Sequence, residues 1–293
     1  MALTLSQIEA RVDAAERRPG WAFVRRHPLL VIGGALLAVM ALIALLAPWI
    51  APHSPIEMNV LKRLKPPSEA NLFGTDAMGR DVFSRVLWGG RVSLTVGISV
   101  ALVATIVGVV LGMVAGFSRA ADALIMRVMD GMMAIPGILL AVAMMALMRA
   151  SIQTVVIAIA VPEIPRVVRL VRSLVLVIRE QPYVQAAEAV GTRFHWILLR
   201  HVLPNALTPL IVQATFICAS AVLFEAYLSF LGAGTPPEIP SWGNMMAEGR
   251  AVVQLAFNII LYPGIFLGLT VLSINLLGDG LRDMLDPKIA RRL

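Results

Sequence analysis

The side chains of this sequence that could do chemistry are few and stand apart. The four histidines include His195 and His201, which are six residues apart. That spacing places them about 240° apart around a helix, on different faces, so they do not form a metal pair. The single cysteine, Cys218, lies in an apolar run and excludes internal disulfides and a Cys-based metal site. Gly74 to Asp81 reads G-x-x-x-x-G-R-D, but the Lys and Ser/Thr that a nucleotide P-loop needs are absent. No H-E-x-x-H or G-x-S-x-G pattern is present. What remains is ionic. Glu163 stands beside Arg166 in an otherwise apolar segment, with Arg169 and Arg172 continuing the stripe at i+3 and i+6, and Glu225 follows another apolar run. A carboxylate near membrane depth is a functional candidate by default, although a salt bridge to Arg166 accounts for Glu163 equally well. The arginine stripe reaches either cytoplasmic water and lipid phosphates or a translocation path.

These residues are positioned by a chain built for a membrane. Of its 293 residues 58% are hydrophobic and 15% charged, where a soluble domain carries about 25%. Mean hydropathy is +0.82. The net charge of +7 is spread between apolar blocks without a continuous basic run, so it suits membrane orientation rather than nucleic acid. Leu29 to Ile50 is uncharged and long enough to cross about 30 Å of hydrocarbon, which favours an uncleaved first span over a signal peptide.

Val92 to Ser118 is the second span. Its Gly108, Gly112 and Gly116 strip one helix face for close approach by a neighbour, within a bundle or as a dimer motif. Asp81, Arg85 and Trp88, opposite Val82, Val86 and Leu87, predict a separate interfacial amphipathic helix before it. A third span covers roughly Ala123 to Met148, with Ile135-Pro136-Gly137 making it irregular. The fourth begins at Ser151 and is interrupted at Pro162-Glu163-Ile164-Pro165. The fifth is Val202 to Phe224, and the sixth lies within Ala251 to Gly278.

Between the fourth and fifth spans lies the polar interval Tyr183 to Asn205, YVQAAEAVGTRFHWILLRHVLPN. Alanines favour helix, Gly191 breaks it, and Pro204 is expected to stop a second short helix, giving an elbow outside the hydrocarbon. With six spans and an inside amino terminus, inner segments hold 17 Lys and Arg against 8 outside. The asymmetry puts both termini and the elbow in the cytoplasm.

At these residues the chain resembles the inner-membrane permease subunits of binding-protein-dependent ABC importers. Gln185-Ala186-Ala187, Gly191 and Leu203-Pro204 fall on the family's E-A-A-x3-G-x9-I-x-L-P spacing, with Gln185 in place of the acidic residue and His201 in place of the isoleucine. GTDAMGRDVFSRVLWGGRVSL, FEAYLSFLGAGTPPEIPSWGNMMAEGR and NLLGDGLRDMLDP extend the likeness to the dipeptide, oligopeptide and nickel branch, and there to its second, C-type subunit.

The resemblance implies an all-α membrane protein of six transmembrane helices with the type I ABC importer permease fold. Its parts would be a cytoplasmic tail (1–28), a first helix (29–50), a periplasmic loop with an amphipathic helix (51–91), a five-helix core (92–282) containing a cytoplasmic coupling loop (179–205), and a cytoplasmic tail (283–293). It implies that Gln185, Ala186, Ala187, Glu188, Gly191, Leu203 and Pro204 couple to an ATPase subunit. Glu163, Arg166 and Glu225 are candidates for the path or its gate, and Trp242 and Asn244 for docking a binding protein. The implied partners are a second homologous permease subunit, two ATPase subunits holding ATP and Mg, a periplasmic or lipid-anchored substrate-binding protein, and lipids of a bacterial or archaeal inner membrane. This chain itself would bind no cofactor and would be no enzyme. Peptides lead as cargo, with nickel, glutathione-like compounds and some sugars as alternatives. An ion-coupled secondary transporter would instead need intramembrane ionisable groups and related halves, and the first and last three spans share no pattern.

Overall fold

Residues 26–285 and Val24 are described by a computed structural model of the chain. Most of the expected amino-terminal tail (1–28) and of the carboxy-terminal tail (283–293) lies outside the described residues. Helix α1 (Pro28–Ile50) is followed by a long loop, then α2 (Val82–Phe117), α3 (Arg119–Met133), α4 (Gly137–Leu147) and α5 (Ile152–Arg179). Short helices α6 (Pro182–Ala189) and α7 (Phe194–Ile197) lead through a π-helical turn, Leu198–Val202, into α8 (Leu203–Phe230). Helices α9 (Trp242–Arg250) and α10 (Asn258–Leu285) complete the order, and no strand occurs among the described residues.

Four of these helical stretches are long and apolar enough to span a membrane: α1, α2, the run from Leu198 through α8, and α10. Helices α3 and α4 make a fifth if taken as one span, bent by 90° at the Ala134–Pro136 break. Pro136 disfavours helical backbone at Ile135, which explains the break. The expected six spans are therefore not all met by length and hydropathy. Helix α5 is 28 residues long, but it carries Glu163 and four arginines.

Three features differ from expectation. The predicted interfacial helix and second span are one 36-residue helix, so the boundary placed at residue 91 falls inside α2. Pro162 and Pro165 do not interrupt α5. Each proline forfeits a backbone hydrogen bond, but packing by neighbouring helices offsets such losses in a membrane bundle. Pro204 does not stop the second elbow helix either. The π turn immediately before it ends with the Leu203 N–H donating to the Leu198 carbonyl, and Pro204 enters the first turn of α8, where a missing N–H costs little.

Glycine spacing determines the bundle's closest crossings. A Cβ on Gly112 would sit 2.7 Å from Val171 Cβ and one on Gly116 2.6 Å from Val175 Cβ, while Gly108 faces Val167. The glycine stripe of α2 thus lies against valines of α5 repeated every four residues, and the expected close approach is realised inside the bundle. Gly33 and Gly280 let α1 and α10 cross backbone to backbone. Helix α1 otherwise exposes Ile32, Val39, Leu42, Leu45 and Trp49. An apolar outer face of this kind suits lipid.

Candidate functional site

The elbow starts where α5 ends. Pro182 opens α6 from its first turn, and Val184 is fully buried. The far end of α6 closes with a complete Schellman motif: Gly191 N–H donates to the Glu188 carbonyl at 2.9 Å and Thr192 N–H to the Ala187 carbonyl at 3.0 Å. Gly191 sits at φ +79, a left-handed angle that residues with a Cβ adopt at a cost, and no neighbouring atom crowds it. Its role is conformational.

Beyond this turn Ile197, Leu198 and Val202 are buried in the main core cluster with Val175, Ile178 and Val184. These four elbow residues fix both arms to the bundle. The outer surface is different: Gln185, Ala186 and Glu188 are exposed, Ala187 is half-buried, and Tyr183, Val190, Trp196 and Leu199 are exposed apolar side chains. Val190 is 81% exposed. A cleft of about 280 Å³ between the end of α2 and α6 is lined by Phe117, Arg179, Glu180, Gln185 and Glu188. Tyr183 and His201 rings, 5.8 Å apart, join α6 to the π turn. Leu203 is half-buried and Pro204 exposed, so every predicted coupling residue reaches the surface at least in part. The apolar anchors were not singled out from sequence, although Val184, Ile197, Leu198 and Val202 are the apolar positions facing the core.

At the opposite end of the bundle the loop after α1 folds against α9 and α10. Gly74 and Gly79, at φ +78 and +76, form its tight turns, and a side chain at Gly79 would meet the Asn59 carbonyl. Asp76 accepts from the Met78 and Arg80 backbone N–H groups at 2.8 and 2.9 Å, and from Arg80 Nε at 2.6 Å. Arg85 approaches Asp76 at 3.5 Å and Glu248 at 3.2 Å, and Arg80 also reaches Glu248. Asp81 caps α2, accepting from the Ser84 N–H at 2.8 Å and the Asn71 amide at 2.8 Å. The sequence pattern put Asp81 and Arg85 on a wet helix face, but they are 4% and 1% exposed. Their counter-groups come from distant sequence, Glu248 being 163 residues beyond Arg85.

Of the remaining expected site residues, Arg166 is exposed and the others are buried in contacts. Trp242 donates its indole N–H to the Val86 carbonyl at 3.0 Å and packs on Gly89 and Gly90. Asn244 donates to the Thr235, Pro236 and Ile239 carbonyls at 3.1–3.2 Å. Both therefore hold the loops at this end of the bundle from within. Glu163 is paired with Arg166 at 3.2 Å along the same helix. Glu225, wholly buried, accepts from Ser93 at 3.1 Å and Ser229 at 2.9 Å, tying α8 to α2. The other arginines of the stripe pair with α3: Arg169 with Asp130 at 2.6 Å, and Arg172 with Asp122 through both ends of its guanidinium.

The described residues thus form a helical bundle of long apolar spans with a surface elbow anchored in its core. The chain belongs to the family described as binding-protein-dependent transport system inner membrane component, matched over residues 108–291, and residues 20–67 match the N-terminal TM domain of oligopeptide transport permease C. It is 52% identical over 268 residues to the probable peptide ABC transporter permease protein y4tQ of Sinorhizobium fredii, covering 92% of each chain. The dipeptide transport system permease protein DppC of Alkalihalophilus pseudofirmus is 42% identical, over 91% of this chain and 88% of that one. The glutathione transport system permease protein GsiD of Pectobacterium atrosepticum is 39% identical over 99% and 97%. Membership makes this chain a multi-pass inner-membrane permease of an ABC importer and not an enzyme, since ATP hydrolysis in such systems belongs to separate subunits.

Proposed function

We propose that this chain forms one half of a path that carries di- or oligopeptides into the cytoplasm, driven through the elbow by an ATPase subunit. The observation that carries this reading is the elbow itself. Its inner side chains, Val184, Ile197, Leu198 and Val202, are locked into the bundle core, while Tyr183, Val190, Trp196 and Leu199 are exposed. Exposed apolar patches of this kind mark partner surfaces. A push on that surface would pass without slack into α5 and α8. Helix α5 serves as the sixth span, three of its four arginines being matched by Glu163, Asp130 and Asp122.

The partners are a second homologous permease subunit, two ATPase subunits that hold ATP and Mg, and a periplasmic or lipid-anchored binding protein that docks at the loop end of the bundle. Both termini and the elbow face the cytoplasm, in keeping with the charge asymmetry. Glu225 is assigned to holding α2 on α8 rather than to the path. The peptide relatives favour peptide cargo, and glutathione, itself a tripeptide, is the next cargo to test.

The complete transporter in vesicles, supplied with its binding protein, is expected to accumulate a labelled dipeptide only with ATP. An Ala187→Trp variant, which obstructs the docking face, is expected to hydrolyse ATP without matching uptake. Wild-type levels of coupled uptake in that variant would sink the elbow's role, and failure of the wild type to take up any small peptide would sink the cargo.

A further inference from the structure

At the loop end of the bundle a pocket of about 560 Å³ opens between the loop after α1, the second to fourth turns of α2, the start of α5 and the loop before α9. Ile56, Trp88, Val92, Ile152 and Ile239 give it an apolar wall. Two opposite charges are set into that wall. The Arg91 guanidinium lies over the Trp88 ring, 5.0 Å from its centroid, which restricts its position while leaving its N–H edge open. Glu238 lines the pocket from the loop side. Neither forms an ion pair among the described residues, with each other or with any third group.

A volume in the range of roughly 300–1,000 Å³ is typical of small-ligand sites, which combine apolar walls with a few placed polar groups. A short peptide with free ends carries a carboxylate at one end, an ammonium at the other and side chains between. Arg presents a planar fork that matches a carboxylate in two parallel hydrogen bonds, and a carboxylate takes an ammonium. We infer that this pocket is a peptide subsite at the outer mouth of the path, in which Arg91 takes the peptide's C-terminal carboxylate and Glu238 its N-terminal ammonium. The inference rests on the proposed peptide cargo and on the loop end facing outward.

The test uses the complete transporter carrying Thr95→Cys, a pocket-lining position, in a Cys218→Ala background. Labelling from outside by a membrane-impermeant maleimide then reads occupancy. Millimolar dialanine is expected to slow labelling roughly threefold, the value for about two-thirds occupancy. C-terminally amidated dialanine is expected to lose most of this protection, as is N-acetylated dialanine. In Arg91→Gln the free and amidated forms should become equivalent, and in Glu238→Gln the free and acetylated forms. Such end-specific changes do not follow from a general loss of packing. Labelling indifferent to dialanine, or protection indifferent to both end groups, overturns the subsite. A cysteine that never reacts in the complete transporter also overturns it, because another subunit or lipid then fills the pocket. ATP-driven uptake of dialanine by the wild type is measured in parallel. Uptake without protection removes the subsite alone, whereas absence of uptake removes the cargo proposal with it.

Discussion

Gly191 contributes backbone alone, a left-handed angle and the N–H that meets the Glu188 carbonyl. At φ +79, with no atom near enough to meet a Cβ, it closes α6 and turns the chain toward α7. A left-handed residue with a side chain costs about 1–2 kcal/mol, and a β-branched one is worst placed to adopt it. Gly191→Val is therefore expected to leave the protein in the membrane while blunting the ATPase response to loaded binding protein. The measurement is hydrolysis and uptake in the same vesicles, and unchanged coupling would show that the elbow tolerates a different turn. Gly191 was legible because glycine after a helical run signals a C-terminal turn. Arg85 was not. Its spacing fits an amphipathic face, and nothing local reveals that Asp76 and Glu248 neutralise it in the interior. Removing one partner of a buried ion pair leaves an uncompensated charge, so this cluster holds the loop after α1 on α9.

Among the elements, the contact of α2 with α5 follows a shared period of four. Gly108, Gly112 and Gly116 are met by Val167, Val171 and Val175, so each glycine accommodates one valine. Gly112→Leu is expected to force the helices apart and to lower the yield of monodisperse protein after detergent extraction. Adding Val171→Ala should recover part of that loss. Size-exclusion profiles of the single and double variants decide it, and a fully tolerated leucine would mean the helices can separate freely. The spacing of the glycines disclosed a close crossing, but not which helix crosses. Valines are common in any span, and only the fold selects these three. The prolines mislead in the opposite direction. Pro162 and Pro165 look like a break, yet α5 passes through both, and Pro204 looks like a stop where a π turn carries the helix onward. Packing overruled local propensity at Pro162 and Pro165, whereas Pro204 sits in a first turn that tolerates it.

Across the whole molecule, opposite charges connect segments that hydropathy alone treats as separate. Asp122 and Asp130 of α3 meet Arg172 and Arg169 of α5, so the arginine stripe ties the broken third span to the bundle. Neither reading made from sequence, lipid phosphate or translocation path, included these partners, because the acidic residues stand 39 and 50 positions away. Exposed ion pairs contribute little stability, about 0–1 kcal/mol each, but they can fix the relative placement of two helices. Exchanging the charges should show this. Arg172→Asp is expected to reduce uptake severalfold with normal membrane levels, and the double exchange with Asp122→Arg to restore most of it. A double variant no better than the single would assign Arg172 a task other than holding α3.

Five tryptophans are distributed unevenly over this architecture. Trp242 is 2% exposed beneath the loops that face away from the elbow, whereas Trp196 is 55% exposed on the elbow. An indole's emission shifts with the polarity around it, so these two sites form native optical gauges at opposite ends of the same bundle. With the remaining tryptophans replaced by phenylalanine, one colour change would time the seating of a partner on the elbow, and the other would time the loosening of the far loops. Under the proposed coupling, the interval between the two signals would be the transit time of the mechanical stroke through the membrane.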